Sequence, residues 1–381
     1  MIFVFLFYTP FKYLQRMPDL LTKVFRWGYF EYMEIEELLI DRVTEYIKKY
    51  ANGRKPVFWG YVPDVYEAIK AAGHSPEAIF SIMAKDDPVL FTPREMLNGK
   101  ADSFYVIVPD HYHDADSILK KYGFTKDKDY VFYREYKTYD GKIDLKDEYE
   151  NDINISANVH CNIKGGVRNK VSVSCSTKNL TIDIIGSDNI VEITDCRFAG
   201  ENSRIYMGKR CGLTIESDCR FHDPFFRLWE DSVISIDKKT TGEKDLQIVA
   251  DPSSFVTVGR DCMFSEQVLV SSCDGHAIFD CETGKPVNID ELGNAGSVII
   301  GAHVWVGRRA TVLGGIKGTE LGNGMIAGAG AVVKGKFPNN TAIGGNPAHI
   351  IRKNVAWSRN FLYSRGIEDC GGYAEMTETI D

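Results

Sequence analysis

Between residues 34 and 140 the apolar positions alternate between helical spacing and short unbroken runs. EIEELLIDRVTEYIKKY, residues 34–50, spaces its apolar side chains along one helix face, and NGRKP then breaks the helix. PVFWGY reads as a strand, and PDVYEAIKAAG as a helix closing at Gly73. AIFSIMA is a second strand, followed by the short helix TPREMLNG with Thr92 as N-cap and Pro93 at its first position. SFYVIVP is a third strand, HDADSILKKYG a third helix and DYVFY a last strand. This β-α-β-α-β-α-β order predicts a small parallel sheet, an α/β domain of Rossmann-like type.

The charged stretch EYKTYDGKIDLKDEYE marks a boundary, and from about residue 151 helical periodicity disappears. Short Ile/Val runs recur with Gly, Asn and Asp between them. One phrase returns three times, DCRFAG at 195, DCRFHD at 218 and DCMFSE at 261, each after an alternating run. Repeats of this kind mean stacked units that cannot bury a core alone. The period then sharpens: Ile300, Val306 and Val312 stand six apart, as do Leu321, Ala327 and Val333. Three such hexads make one triangular coil, with each apolar residue pointing to its axis. The nine-residue step from Val312 to Leu321 predicts one enlarged corner. The expected fold is mainly β: an apolar and amphipathic leader (1–33), the small α/β domain (34–140), a parallel β-helix (141–355) and a tail (356–381).

Composition narrows the function. The formal net charge is -8, with no basic block to neutralise a phosphate backbone, so nucleic acid is not expected as a partner. The nine Cys contain no CxxC and mostly sit in strand-like runs, which reads as small buried hydrophobes in a reducing cytosol. The opening run MIFVFLFYTP is far shorter than the ~20 residues of a spanning helix. It packs on the body or a partner chain, or serves as a peripheral membrane contact; Met33 is an alternative start. The turn Trp59-Gly60-Tyr61-Val62-Pro63-Asp64 lacks GxGxxG, so dinucleotide binding is not expected there.

SSCDGHAIFDCETGKPVN, residues 271–288, interrupts the coils with a run of chemically active side chains. The ordered set VGRDCMFSEQVLV, this GH loop, IIGAHVWVG, IAGAGAVVKGKFPNN and AIGGNPAHIIR resembles the hexapeptide-repeat acyltransferases, whose coils form a left-handed parallel β-helix. It is similar to the galactoside, maltose and surface-polysaccharide O-acetyltransferases within them. The resemblance spans about 255–355. It implies an acetyl-CoA-dependent O-acetyltransferase acting on a carbohydrate, with His276 as the base that takes a hydroxyl proton. Asp274 would orient that ring or bond the acceptor; its plain reading is an Asx turn. Trp305 matches the Trp beside the pantetheine arm, and Gly307, Gly328 and Ala329 are small where that arm lies against backbone. Arg352 matches a cation near the CoA phosphates. Two departures stand out: His349 replaces a second basic residue, and Lys334-Gly335-Lys336 flanks the usual Lys position, leaving Lys334 and Lys336 both as candidates. The family also implies a cytoplasmic homotrimer with sites at its seams, and no metal.

Other residues carry weaker readings. Trp229 and Phe225-Phe226 suit either an acceptor platform or the core. His303 is expected at an exposed corner, and His111 and His113 are expected in solvent. One alternative is N-acylation of a nucleotide-linked amino sugar, with the α/β domain holding the nucleotide. A metalloenzyme built on His222, His276 and His303 and a non-catalytic scaffold are the remaining rivals.

Overall fold

The computed structural model describes residues 47–59, 119–132, 136–289, 296–360 and 365–370, together with 44, 70, 73, 78–80, 103–107 and 117. The described residues divide into two compact units between Lys137 and Thr138. In the first unit Lys55–Trp59 pairs in parallel with Ala78–Phe80 on one side and Ser103–Ile107 on the other, and Tyr130–Phe132 follows outside the latter. Val57, Tyr105, Val106, Tyr130 and Val131 are buried, so these strands carry unbroken apolar runs as parallel strands covered on both faces do. The four expected strands are therefore present and parallel. The Gly60 turn, Thr92, Pro93, His111 and His113 lie outside the described residues, as do the leader and most of the intervening helices.

The second unit is a parallel β-solenoid whose coils expose three faces. The first face stacks Gly212–Ile215, Val233–Ile236, Phe255–Val258, Ser297–Ile300, Thr319–Leu321 and Lys336–Phe337. The second stacks Arg220–His222, Thr241–Gly242, Met263–Phe264, Trp305–Val306, Ile326–Ala327 and Thr341–Gly344. The third is a nine-stranded sheet running from Tyr136–Asp140 to Val332–Val333. The two hexad triplets are consecutive coils: Ile300 pairs with Leu321, Val306 with Ala327 and Val312 with Val333. All six are at most 2% exposed, so each six-residue step does place one apolar side chain on the axis.

The repeated phrase is the corner between the first and second faces. Asp195, Asp218 and Asp261 adopt left-handed backbone (φ 45, 62 and 61), which Asp tolerates through its short polar side chain. Cys196, Cys219 and Cys262 then turn inward, the next residue points out, and Phe198, Phe221 and Phe264 close the core. Burial pushes the Cys262 thiol up to about 12, so it packs as an inert hydrophobe. At the corner between the third and first faces a buried ladder runs Asn189 to Asn169 to Asn151, each Nδ2 donating to the Oδ1 of the next at 2.9 Å in both steps. The ladder satisfies amides that tight corners would otherwise bury without partners.

The ends of the solenoid are antiparallel. The charged stretch expected as the domain boundary folds onto the first coils: Ile143–Lys146 runs antiparallel to Asp152–Ile155, with Tyr139 and Tyr149 buried and the charges outside. At the other end His349–Lys353 turns back along Thr341–Gly344. The GH loop is an insertion between Leu269–Ser271 and Ser297–Ile300, at the corner from the third face to the first. Gly314 permits this exit, because a Cβ there would lie 2.0 Å from the Ser272 carbonyl oxygen. Gly296 permits the return at φ +134.

Candidate active site

The loop is anchored by Ser272, whose buried Oγ accepts the Asp251 N–H at 2.8 Å. From there it forms an irregular hairpin, in which Val287 N donates to Ile278 O at 2.8 Å and Phe279 bridges Pro286. Asp280 closes the tip as an Asx turn, accepting from Thr283 N at 2.7 Å and Glu282 N at 3.0 Å. The Thr283 hydrogen bonds hold its carboxyl below the usual range. The tip residues Asp280, Glu282 and Lys285 thus belong to a solvated turn.

His276 sits on the outgoing arm and is exposed. Asn288, on the returning arm, holds it in place: Asn288 Nδ2 donates to the His276 carbonyl at 2.7 Å, and Asn288 Oδ1 accepts Ile278 N–H at 2.8 Å. The same Nδ2 reaches Asp274 Oδ2 at 3.3 Å. The Asp274 carboxylate is therefore bonded to Asn288, not to the imidazole. Asn288 has no signal in the sequence, since an Asn in a charged turn is ordinary.

A second group of side chains lies on the second face. Trp305 is about one-third exposed (36%) and its Nε1 donates to Ser265 Oγ at 3.2 Å. Its register partners run Ile326, Ala342 and Arg352. The indole and the guanidinium thus end one outward row, three rungs or roughly 14 Å apart. Gly307, Gly328 and Ala329 form the adjoining corner. A Cβ on Gly307 would lie 2.7 Å from Ala329 N, so the wall is close-packed backbone there. Lys334 and Lys336 are elsewhere: Lys334 follows the third face, and Lys336 begins a strand of the first face, where its Nζ pairs with Glu320 Oε1 at 2.7 Å. One chain thus brings Trp305, Gly307, Gly328, Ala329 and Arg352 to one side. His276 leaves from a different corner.

His303 is not at an exposed corner. It is 3% exposed, with its ring stacked on Trp357 at 4.0 Å and 9°. Its Nδ1 lies 2.7 Å from Asp261 Oδ2 and its Nε2 2.9 Å from the Trp357 carbonyl. Both nitrogens are engaged, which removes His303 from any metal trio with His222 and His276. Among the described residues no three His, Cys, Asp or Glu are grouped to hold a metal. Arg359 continues the clasp with hydrogen bonds to Asp261, Thr241 Oγ1 and the Cys262 carbonyl. Burial alone would raise the Asp261 carboxyl, but the His303 hydrogen bond and the Arg359 charge outweigh it and hold it below its usual value. Trp357 also lies 6.0 Å from Trp305, so this strap backs the row just described. The non-periodic tail gave no hint of it.

No family model matches the chain. Among curated proteins it is 34% identical over 128 residues to a polysialic acid O-acetyltransferase of Escherichia coli O1:K1, covering 34% of this chain and 39% of that protein. It is 29% identical over 213 residues to the polysialic acid O-acetyltransferase of Neisseria meningitidis, covering 55% of this chain and 95% of that protein. A chloramphenicol acetyltransferase of Escherichia coli matches at 39% over 69 residues, 18% of this chain and 31% of that protein. The chain thus spans well under half of two of these relatives and nearly all of the third. What they share by name is acetyl transfer, while the acceptors differ. Among the described residues no helix is long and apolar enough to cross a membrane. In sequence the β-solenoid of this chain is similar to O-acetyltransferases, and its stacked hexads are those expected from the resemblance to the hexapeptide-repeat acyltransferases.

Proposed function

We propose that the chain transfers the acetyl group of acetyl-CoA to a hydroxyl of a surface-polysaccharide sugar, with His276 as general base. The observation that carries this reading is His276 itself, held out from an otherwise inert wall by Asn288. An imidazole in solvent contact near neutral pH suits removal of the hydroxyl proton as oxygen attacks the thioester carbonyl. The tetrahedral oxyanion then needs a fixed N–H donor, and collapse expels the CoA thiolate, which takes up the proton from the imidazolium. The small-residue corner at Gly307, Gly328 and Ala329 suits an extended thioester arm, with Trp305 at the acyl end and Arg352 towards the phosphates.

His276 and the Trp305 row belong to different sides of one solenoid. A site that uses both is completed by a neighbouring copy, as in a trimer with three seams. The polysialic acid acceptors of two relatives make a sialic-acid polymer the first acceptor to assay. His276→Ala is expected to lower acetyl transfer by at least about a hundredfold with acetyl-CoA binding retained. Wild-type turnover in that variant would refute the mechanism. The parallel sheet of the first unit favours one second reading, N-acylation of a nucleotide-linked amino sugar. Calorimetry of the whole protein with UDP-sugars would separate the two.

A further inference from the structure

We propose that the outward side of the third face, centred on Arg227 and Trp229, is a docking strip for an acidic saccharide chain. Along that face the register runs Tyr206, Arg227, Val249, Ser271, and beside it Arg204, Phe225, Gln247, Leu269. These two columns alternate with the core residues, so their side chains point away from the axis. In the first two coils all four of these residues, Arg204, Tyr206, Phe225 and Arg227, are aromatic or cationic, which a solvated wall does not require. Trp229 directly follows the strand Phe225–Leu228 with 37% of its surface exposed, the ring of Tyr206 meeting it edge-on at 5.6 Å. The Arg227 guanidinium lies over the indole at 5.4 Å.

Arg227 differs from its neighbours in how it is satisfied. Arg168 and Arg210 at the nearby corners each pair with carboxylates, at 3.0 Å to Asp188 and 2.6 Å to Asp231. The Arg227 Nε is buried and makes no hydrogen bond. Among the described residues Arg227 has no carboxylate partner, and an oxyanion from outside the chain can meet the terminal N–H groups of its guanidinium, which are not sealed in as the Nε is. Arg204, largely exposed and only 3.8 Å from Asp183, adds a second cation one coil away. Pyranose C–H groups pack on the open part of an indole face, while a sugar carboxylate meets the guanidinium fork.

The strip continues into a cleft of about 610 Å³ lined by Phe225, Gln247 and Leu269 of the same face and by corner residues including Asn202, Lys244 and Gln267. Asp223 and Asp245 also line it, so it suits hydroxyls, and the anion-binding end is Arg227. In the other direction Ser271 is the last residue before the His276 loop. Arg227 lies two rungs, roughly 10 Å, from that take-off point, close enough for a chain held at Trp229 to extend towards the loop. The strip rests on the acetyltransferase reading only for what is done to the saccharide, not for its binding.

The test is direct binding to the full protein, with a six-residue oligosialic acid as the acidic probe and maltohexaose as the neutral one. Wild type is expected to bind the acidic probe and not the neutral one. Arg227→Gln and Trp229→Ala are each expected to weaken binding by about tenfold or more, while Lys146→Gln, at the far end of the solenoid, has no effect. Arg227→Lys should recover only part of the loss, since an ammonium cannot make the forked contact. Circular dichroism and acetyl-CoA binding would show that the variants remain folded. Failure of wild type to bind, or unchanged binding in both variants, overturns the strip even if acetyl transfer is found. A shift in oligomeric state in either variant also overturns it, because a second copy would then be the occupant. Binding without acetyl transfer leaves the strip standing and removes the enzymatic reading.

Discussion

His276 is useful only if its backbone is held, because an exposed loop otherwise samples many positions. Asn288 supplies that restraint through three hydrogen bonds from one amide. Asn288→Ala is expected to lower kcat by about tenfold through misplacement of the proposed base, with KM for acetyl-CoA unchanged. Single-turnover acetyl transfer would measure it; an unchanged rate would mean that the loop is ordered by its partner surface alone. Asp274 contributes to the same clasp, so Asp274→Asn should cost less than Asn288→Ala in the same assay. His276 was legible as a candidate from its place between recognisable coil motifs. The residue that positions it was not, because turn chemistry makes Asn common in loops whether or not it does anything.

At the scale of elements the coils followed from a six-residue rhythm, since one apolar side chain per face is all that a narrow triangular core can take. Ile300, Leu321 and Phe337 form one such column, and Ile300→Ala should destabilise the solenoid by about 2–5 kcal/mol. Chemical denaturation would check that figure. The four strands of the first unit were equally readable from their apolar runs. His303 was misread because a corner position suggested exposure, whereas a segment 54 residues later covers it with Trp357. No local pattern encodes a contact of that range. The strap also has a pH signature. Asp261 is held below its usual value in the folded chain, so its contribution is complete above the unfolded carboxylate value of about 3.9 and is lost as pH falls through the lower folded value. Trp357 fluorescence should report loosening of the strap in that acid range. Asp261→Asn should remove the transition and cost about 1 kcal/mol at neutral pH, since solvent screens a half-open pair.

For the whole molecule, the separation of His276 from the Trp305 row makes a testable claim about copies. Mixing inactive His276→Ala with impaired Trp305→Ala chains under exchange conditions should restore part of the activity, because some seams then combine an intact loop with an intact wall. Recovery no greater than the sum of the separate variants would place the site within one chain.

The reversed strands at both ends of the solenoid have a consequence of another kind. A stack of parallel rungs offers the same unpaired amides at its last rung as at every rung before it, and is a template for its own extension. Here the stack is turned back at each end, by Ile143–Lys146 at one and His349–Lys353 at the other, with lysine, histidine and arginine on the outer edge. These short charged segments act as stoppers. A chain trimmed before His349 would keep its core coils but lose one stopper, and fibrous growth from that end is the hazard it would then face.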